Sequence, residues 1–132
     1  RREKASSNIC SNQALNALAA AVCMSALGKN GTREMAQLNF AKADYMANRL
    51  KETGFSIFNQ APFFNEFVIE LPLPTAEINK KLLDKGIIGG YDLSMEYGWE
   101  KRMLVAVTEQ RSKAEIDQFI DVLEELCYVR VK

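Results

Sequence analysis

Arg1, Arg2, Ser6, Ser7, Asn8 and Asn12 form the most site-like group in the chain. Small hydroxyl and amide side chains ahead of a helix can hold an anion, because the first backbone N–H groups of a helix point outward unpaired. They can equally dock a neighbouring subunit. The same residue types also serve as plain caps and loop hydrogen bonds, and both readings stay open at this point.

Other candidates are weaker. The lysines Lys4, Lys29, Lys42, Lys51, Lys80, Lys81, Lys85, Lys101, Lys113 and Lys132 all fall on expected helix surfaces, turns or tails, where an ammonium stays hydrated. None has the setting of a lysine that holds a cofactor aldehyde covalently. Gly86-Ile87-Ile88-Gly89-Gly90 lacks the glycine spacing and the Lys-Ser/Thr ending of a phosphate loop, so it reads as a helix stop followed by a turn. Asp92, Glu96, Glu100 and Glu109 share no spacing that would make them an acid/base set, and read as solvated. The chain has no histidine, which removes the commonest general base and metal ligand. Cys10, Cys23 and Cys127 are too widely spaced for a zinc site and read as free buried thiols. Catalytic, cofactor-binding and metal-binding residues are therefore expected to be absent from this chain.

These residues need elements to place them. Ser11 is the expected cap of a first helix, Asn12 to Leu27, rich in alanine and carrying Leu15, Leu18 and Val22 on one face. So little side-chain bulk implies a helix buried between two layers. Gly28 stops it. Asn30 caps a second helix, Gly31 to Thr53, with Met35, Leu38, Ala41, Tyr45, Met46 and Leu50 inward and Arg33, Lys42, Arg49 and Lys51 toward water. Gly54 ends that helix. Strands follow at 55–58 and 66–71; in the latter Phe67, Ile69 and Leu71 alternate with Glu66, Val68 and Glu70. Thr75 caps a third helix over 76–85, with Ile78, Leu82 and Leu83 inside. Ile87-Ile88 starts a brief strand, 91–101 is a loop, and 102–108 is a strand with Met103, Val105 and Val107 inward. Ser112 and Glu115 have the spacing of a capping box for a fourth helix running to about Cys127. Its stripe is Ile116, Phe119, Ile120, Leu123 and Leu126. The tail 128–132 is expected to be loose.

The fold class is α+β: long N-terminal helices, then a small, mainly antiparallel sheet covered by helices on one face. Residues 1–54 are expected to be connecting helices from a larger domain, and 55–132 a C-terminal small domain. The 132 residues carry 17 basic and 17 acidic side chains, which gives no reason to expect nucleic acid or an anionic membrane as partner. The longest apolar run, Ala17 to Met24, is too short for a bilayer span. No basic-then-apolar leader is present, so secretion is not expected. A chain that opens on Arg1 is expected to be a piece of a longer one.

The run Ser6-Ser7-Asn8-Ile9-Cys10 with its Ala-rich helix resembles the P-protein family of the glycine cleavage system, specifically its subunit 1 type. The likeness continues through Gly31-Thr32-Arg33-Glu34-Met35-Ala36, Phe63-Phe64-Asn65-Glu66-Phe67, Gly89-Gly90-Tyr91-Asp92-Leu93 and Leu104-Val105-Ala106-Val107-Thr108-Glu109. The passage from the last strand through Ser112 to Asp117 is similar, more generically, to the small domain of fold-type-I pyridoxal-phosphate enzymes. Where many of those enzymes begin that strand with a carboxylate-binding Arg, this chain has Leu104; the nearby Arg102 is not a match. Ser6 and Cys23 also depart from the residues usual in the family.

The resemblance implies the C-terminal part of glycine dehydrogenase (decarboxylating) subunit 1. The parent complex would decarboxylate glycine with pyridoxal phosphate as electron sink and pass the aminomethyl group to the lipoyl arm of the H-protein. The cofactor's lysine would lie on subunit 2, with no cofactor bound to this chain. It implies subunit 2, H-protein and glycine as partners, a cytoplasmic setting, and Arg2, Ser6, Ser7, Asn8 and Asn12 as interface or active-site-adjacent residues. The alternatives are a non-catalytic α+β interaction module, or the small domain of another fold-type-I enzyme such as an aminotransferase or cysteine desulfurase.

Overall fold

The computed structural model describes residues 13–127. The chain divides into two compact units, residues 1–34 and residues 35–132.

The described part of the first unit is helical. It is the beginning of helix α1 (Ala14–Glu52), which is interrupted at Gly28, where φ is 61° and ψ is −174°. Side chains with a Cβ avoid that backbone region, so glycine is required there. A Cβ at Gly28 would meet nothing within 4 Å; the requirement is therefore conformational, not steric. The break lies where the expected stop was, but the helix resumes at once. Lys29 and Asn30 are helical and not a cap, and the Thr32 hydroxyl donates to the Gly28 carbonyl at 2.9 Å. The expectation of a buried first helix is not met: Leu15, Leu18 and Val22 are 76, 61 and 60% exposed.

The second unit holds the core. From Met35 onward α1 buries Ala43, Met46, Ala47 and Leu50. The expected stripe is thus rotated: Leu38 and Ala41 face outward. The two alanines let the helix sit close to its neighbours, which a stripe of long side chains would prevent. At its end Gly54 N–H donates to Lys51 O at 3.1 Å and Phe55 N–H to Leu50 O at 2.9 Å. With Gly54 at φ 93°, these are the paired bonds of a Schellman stop.

Strands β1 (Ser56–Ile57), β2 (Glu66–Glu70), β3 (Tyr91–Asp92) and β4 (Arg102–Ala106), with helices α2 (Thr75–Asp84), α3 (Ser94–Tyr97) and α4 (Lys113–Cys127), complete the unit. The sheet order is β1-β2-β4-β3 and every pairing is antiparallel. The register runs from Glu66 opposite Ala106 to Glu70 opposite Arg102. One sheet face carries Phe67, Ile69, Met103 and Val105, all buried in one cluster with Ile78 and Leu82 of α2 and Ile116, Ile120 and Leu123 of α4. Each such side chain contributes about 1.5–3 kcal/mol on burial, so this layer outweighs any single local preference.

Several local expectations are corrected. Ile87-Ile88 is not a strand; β3 lies at Tyr91–Asp92, inside the expected loop. Thr75 is not a cap. Pro74 holds that position, and the Thr75 hydroxyl is buried with no partner among the described residues. Leu83 is 64% exposed. Gly86, by contrast, ends α2 as expected, with bonds from Gly86 N–H to Leu83 O at 2.9 Å and from Ile87 N–H to Leu82 O at 2.9 Å. The capping box of α4 forms: Glu115 N–H donates to Ser112 Oγ at 3.2 Å, and Ser112 N–H donates to Glu115 Oε2 at 2.7 Å.

Candidate functional site

Arg2, Ser6, Ser7, Asn8 and Asn12, the group singled out from sequence, lie outside the described residues. So do Arg1, Lys4, Cys10 and the tail from Tyr128.

Within the described residues the most organised polar group is on the open face of the sheet. Cross-strand register puts Val68, Leu104 and Tyr91 in one row, and Ser56, Glu70 and Arg102 in the next. The guanidinium carbon of Arg102 sits 3.8 Å from the Phe58 ring centre and 4.7 Å from that of Trp99. The two rings are 5.2 Å apart, and Tyr97 stacks on Trp99 at 5.0 Å. Arg102 Nε and Nη2 both donate to Glu70 Oε1, at 3.2 and 3.1 Å. A planar, delocalised cation suits such a sandwich better than an ammonium would. Beside it, Tyr91 donates its phenol to Glu96, and that carboxylate raises the Tyr91 pKa above the ordinary tyrosine range.

This arrangement holds Arg102 in place by ring contact and ion pairing. Leu104, the position expected where relatives carry a carboxylate-binding Arg, is on the same face one row away. Arg102 gives Nε and Nη2 to Glu70 and lies against the Phe58 and Trp99 rings. The residue was visible in the sequence as an outward position of an alternating strand. Its partners were not, because Glu70 reaches it through the β2–β4 register and Phe58 through the bond of its N–H to Val68 O next to the β1–β2 pairing.

The other candidates do not converge. Asp92 accepts from Ser94 N–H at 2.9 Å, Glu96 serves Tyr91, and the Glu109 carboxylate accepts from Gln110 at 2.8 Å. The Glu109 backbone is held by α1: Lys42 Nζ donates to its carbonyl at 2.5 Å, and its N–H donates to Asn39 Oδ1 at 2.5 Å. Lys42 therefore serves as an inter-element tie and is half-buried, contrary to the expectation that it faces water. The other described lysines are exposed or half-buried, and Lys81, Lys85 and Lys113 pair with Glu77, Glu125 and Asp117. Gly89 and Gly90 hold no phosphate-loop geometry. A Cβ at Gly89 would lie 2.1 Å from Asn79 Oδ1, and one at Gly90 would lie 2.4 Å from Leu104 O; they are glycines because β3 enters against α2 and β4. A groove of about 420 Å³ beside them is lined by Val105, Val107, Phe119, Arg111 and Glu115 among others. Its charges cancel, since Arg111 pairs with Glu115 at 3.3 Å. Cys23 is exposed, not buried as expected; Cys127 is buried, and burial pushes its thiol up to about 11.

The family model for the glycine cleavage system P-protein matches residues 1–123. This chain belongs to that family. As a P-protein segment it is 59% identical over 124 residues to a probable glycine dehydrogenase (decarboxylating) subunit 1 of Geobacillus sp. (strain WCH70), covering 93% of this chain and 28% of that relative. It is 60% identical over 121 residues to the same-named protein of Macrococcus caseolyticus (strain JCSC5402), covering 91% of this chain and 27% of the relative. The chain thus spans a little over a quarter of the length of the relatives it matches. A solved glycine decarboxylase (P-protein) of the glycine cleavage system, in inhibitor-bound form, superposes with a TM-score of 0.82 at 35% identity, over 96% of this chain and 29% of that one. A NifS-like protein, with a TM-score of 0.59 at 14% identity over 71% of this chain and 28% of its own, shares the fold alone. The same holds for a phosphoserine aminotransferase from Cytophaga hutchinsonii, with a TM-score of 0.54 at 20% identity over 83% and 29%. These neighbours agree with the expected fold class, a helical layer on a small antiparallel sheet as found in fold-type-I enzymes.

Proposed function

We propose that this chain is the C-terminal part of subunit 1 of a two-subunit glycine dehydrogenase (decarboxylating). In this reading residues 1–54 connect to a larger domain and 55–132 form the small domain. The parent works with subunit 2 in the cytoplasm on glycine and hands the aminomethyl group to the lipoyl arm of the H-protein. The observation that carries the reading is the 59% identity sustained over 93% of the chain.

Pyridoxal phosphate, when bound in the parent complex, would supply the electron sink for decarboxylation. The described residues of this chain do not fit the task of holding it. A lysine that binds an aldehyde covalently is normally desolvated or flanked by another cation; here Lys81, Lys85 and Lys113 lie beside carboxylates and Lys42 is committed to a carbonyl. This supports a cofactor lysine other than these four; the reading places it on subunit 2 and gives this chain structural and docking work. Arg2, Ser6, Ser7, Asn8 and Asn12 are proposed to lie at or near the contact with that subunit.

Two measurements test this. Full-length subunit 1 mixed with subunit 2 and lipoylated H-protein is expected to release carbon dioxide from glycine, and neither subunit alone to do so. The 132-residue chain treated with pyridoxal phosphate and borohydride is expected to show scattered, substoichiometric labelling. A single lysine labelled to completion would overturn the division of labour.

A further inference from the structure

Strand β4 carries backbone groups that its own sheet leaves unused. Val107 N–H donates to Asn65 O at 2.9 Å. By the alternation of an antiparallel ladder, the odd-numbered residues of β4 therefore bond to β2 and the even-numbered ones to the opposite side. On that side Leu93 N–H donates to Arg102 O at 3.4 Å, and Leu104 pairs with Tyr91. Ala106 is next in this series, and β3 does not reach it. Its N–H and C=O point the same way with no backbone partner, and its side chain is exposed.

The neighbouring chain is held away from this edge. Asn79 Nδ2 on α2 donates to Gly90 O at 2.8 Å, and Gly90 N–H donates to Met103 Sδ at 3.2 Å. Residues 86–90 bend off β4 toward α2, and Ala106 borders the groove of about 420 Å³ that this opens. Ile87 and Phe119 are half-buried in its lining, and Ile88 beside them is 90% exposed. An open strand edge next to apolar walls has both halves of a strand-addition site: main-chain bonds give affinity, and alternate side chains fill pockets.

We infer that this groove binds an extended peptide segment of another polypeptide, which adds to β4 beside Ala106. Register states the chemistry of that segment. The residue opposite Ala106 turns its side chain to the open sheet face, and its two neighbours turn theirs to the face of Val105 and Val107, which the helices cover. A polar residue between two apolar ones fits. Arg111 pairs with Glu115 in the lining, so the segment needs no charge. Residues 128–132 of this chain are excluded by reach. Helix α4 has 15 residues and holds its ends about 22 Å apart, with the groove's Arg111 and Glu115 at its start. Five residues span at most about 18 Å. The sheet edge of a second copy is excluded by width, because α4 and residues 86–90 flank Ala106. Nothing in this depends on the proposed function, which only supplies the longer protein for one arm of the test.

The probe is fluorescein-labelled Thr-Val-Thr-Val-Thr-amide, followed by fluorescence anisotropy with the 132-residue chain and with full-length subunit 1. Both proteins are expected to bind it with equal affinity. N-methylation of the central threonine is expected to weaken binding about tenfold, because it removes the N–H that faces the Ala106 carbonyl. Ala106→Pro removes the free donor without touching the β2 ladder. It is expected to weaken binding by a similar factor and to leave the Tm within error. If Ala106→Pro does not fold, the methylated probe reads the same pairing on the unaltered protein. Equal binding of the methylated and unmethylated probes would reveal apolar capture alone and overturn the proposal. Binding by the 132-residue chain but not by full-length subunit 1 would assign the groove to the parent's own polypeptide and overturn it too, as would binding by neither. Peptide binding without glycine decarboxylation by the two-subunit mixture would sink the functional reading and keep the peptide site.

Discussion

The Tyr45 hydroxyl donates to Asp117 Oδ1 at 2.5 Å, joining the second half of α1 to the first turns of α4. Around this bond Lys113 Nζ lies 2.7 Å from Asp117 Oδ2 and 4.9 Å from the Tyr45 ring centre, and Arg49 Nε lies 3.8 Å from Asp117 Oδ1. A half-exposed carboxylate with three donors around it serves as the clasp between two helices otherwise held by apolar contact.

The Lys113 contact first, and the Tyr45 hydroxyl second, hold the Asp117 carboxyl below the usual aspartate range. The unfolded chain therefore binds this proton more readily than the folded one. The stabilisation is complete above the unfolded value of about 3.9 and is lost as pH falls through the lower folded value. Urea unfolding between pH 6 and pH 2 is expected to show this acid slope reduced in Asp117→Asn. An unchanged slope would show that the clasp does not contribute.

Glycines in this chain are needed for two different reasons, and their alanine variants separate them. At Gly86 (φ 75°) an added Cβ meets nothing within 4 Å, so Gly86→Ala is expected to cost about 1–2 kcal/mol from backbone strain alone. At Gly90 the Cβ would lie 2.4 Å from Leu104 O and 2.5 Å from Met103 Cγ. Gly90→Ala is expected to cost about 1–3 kcal/mol through forced separation of β3 from β4. It is also expected to raise amide exchange at Tyr91 and Asp92, which Gly86→Ala leaves unchanged. Both are read by urea unfolding with hydrogen exchange.

Ser112→Ala removes the hydroxyl that accepts from Glu115 N–H. The loss expected is about 0.5–2 kcal/mol, measured by thermal unfolding followed by circular dichroism. Ser112→Thr, which keeps both the acceptor for Glu115 N–H and the hydroxyl that donates to Glu115 Oε2 at 2.9 Å, is expected to recover most of it. Failure of that rescue would point to another cause.

The two described thiols differ in environment, and a maleimide or disulfide reagent at pH 8 distinguishes them. Cys23 is exposed and is expected to react in the folded chain. Cys127 is 8% exposed with its thiol pushed up to about 11. It is expected to react only on unfolding, because the thiolate is the nucleophile. Equal rates in the native chain would contradict the packing of α4.

Arg102→Ala removes the cation between Phe58 and Trp99. The expected cost is about 0.5–1 kcal/mol, as for exposed cation–π contacts. The emission of Trp99 is expected to shift to the red as its ring gains water. Arg102→Lys is expected to restore less than half of the loss, because an ammonium cannot fill the planar gap.

What the sequence by itself determined is what neighbouring residues decide among themselves. The stops at Gly54 and Gly86 follow from positive φ, and the α4 cap from Ser112 and Glu115 three residues apart. The strand at Glu66–Glu70 and the inward set Met103, Val105 and Val107 follow from alternation. The family too was legible, since its motifs are runs of adjacent residues. Tertiary structure alone decided which side of α1 is buried: Ala43 and Ala47 face the core while Leu38 and Ala41 face outward, a choice made by what the sheet and α4 present to the helix and not by the residue types themselves. It also moved the edge strand from Ile87-Ile88 to Tyr91-Asp92, where β4 offers unpaired backbone groups opposite Met103 and Leu104. The setting of Arg102 came from the same source. Its ion-pair partner Glu70 lies 32 residues away along the chain, and only the cross-strand register brings the two side chains onto one face of the sheet.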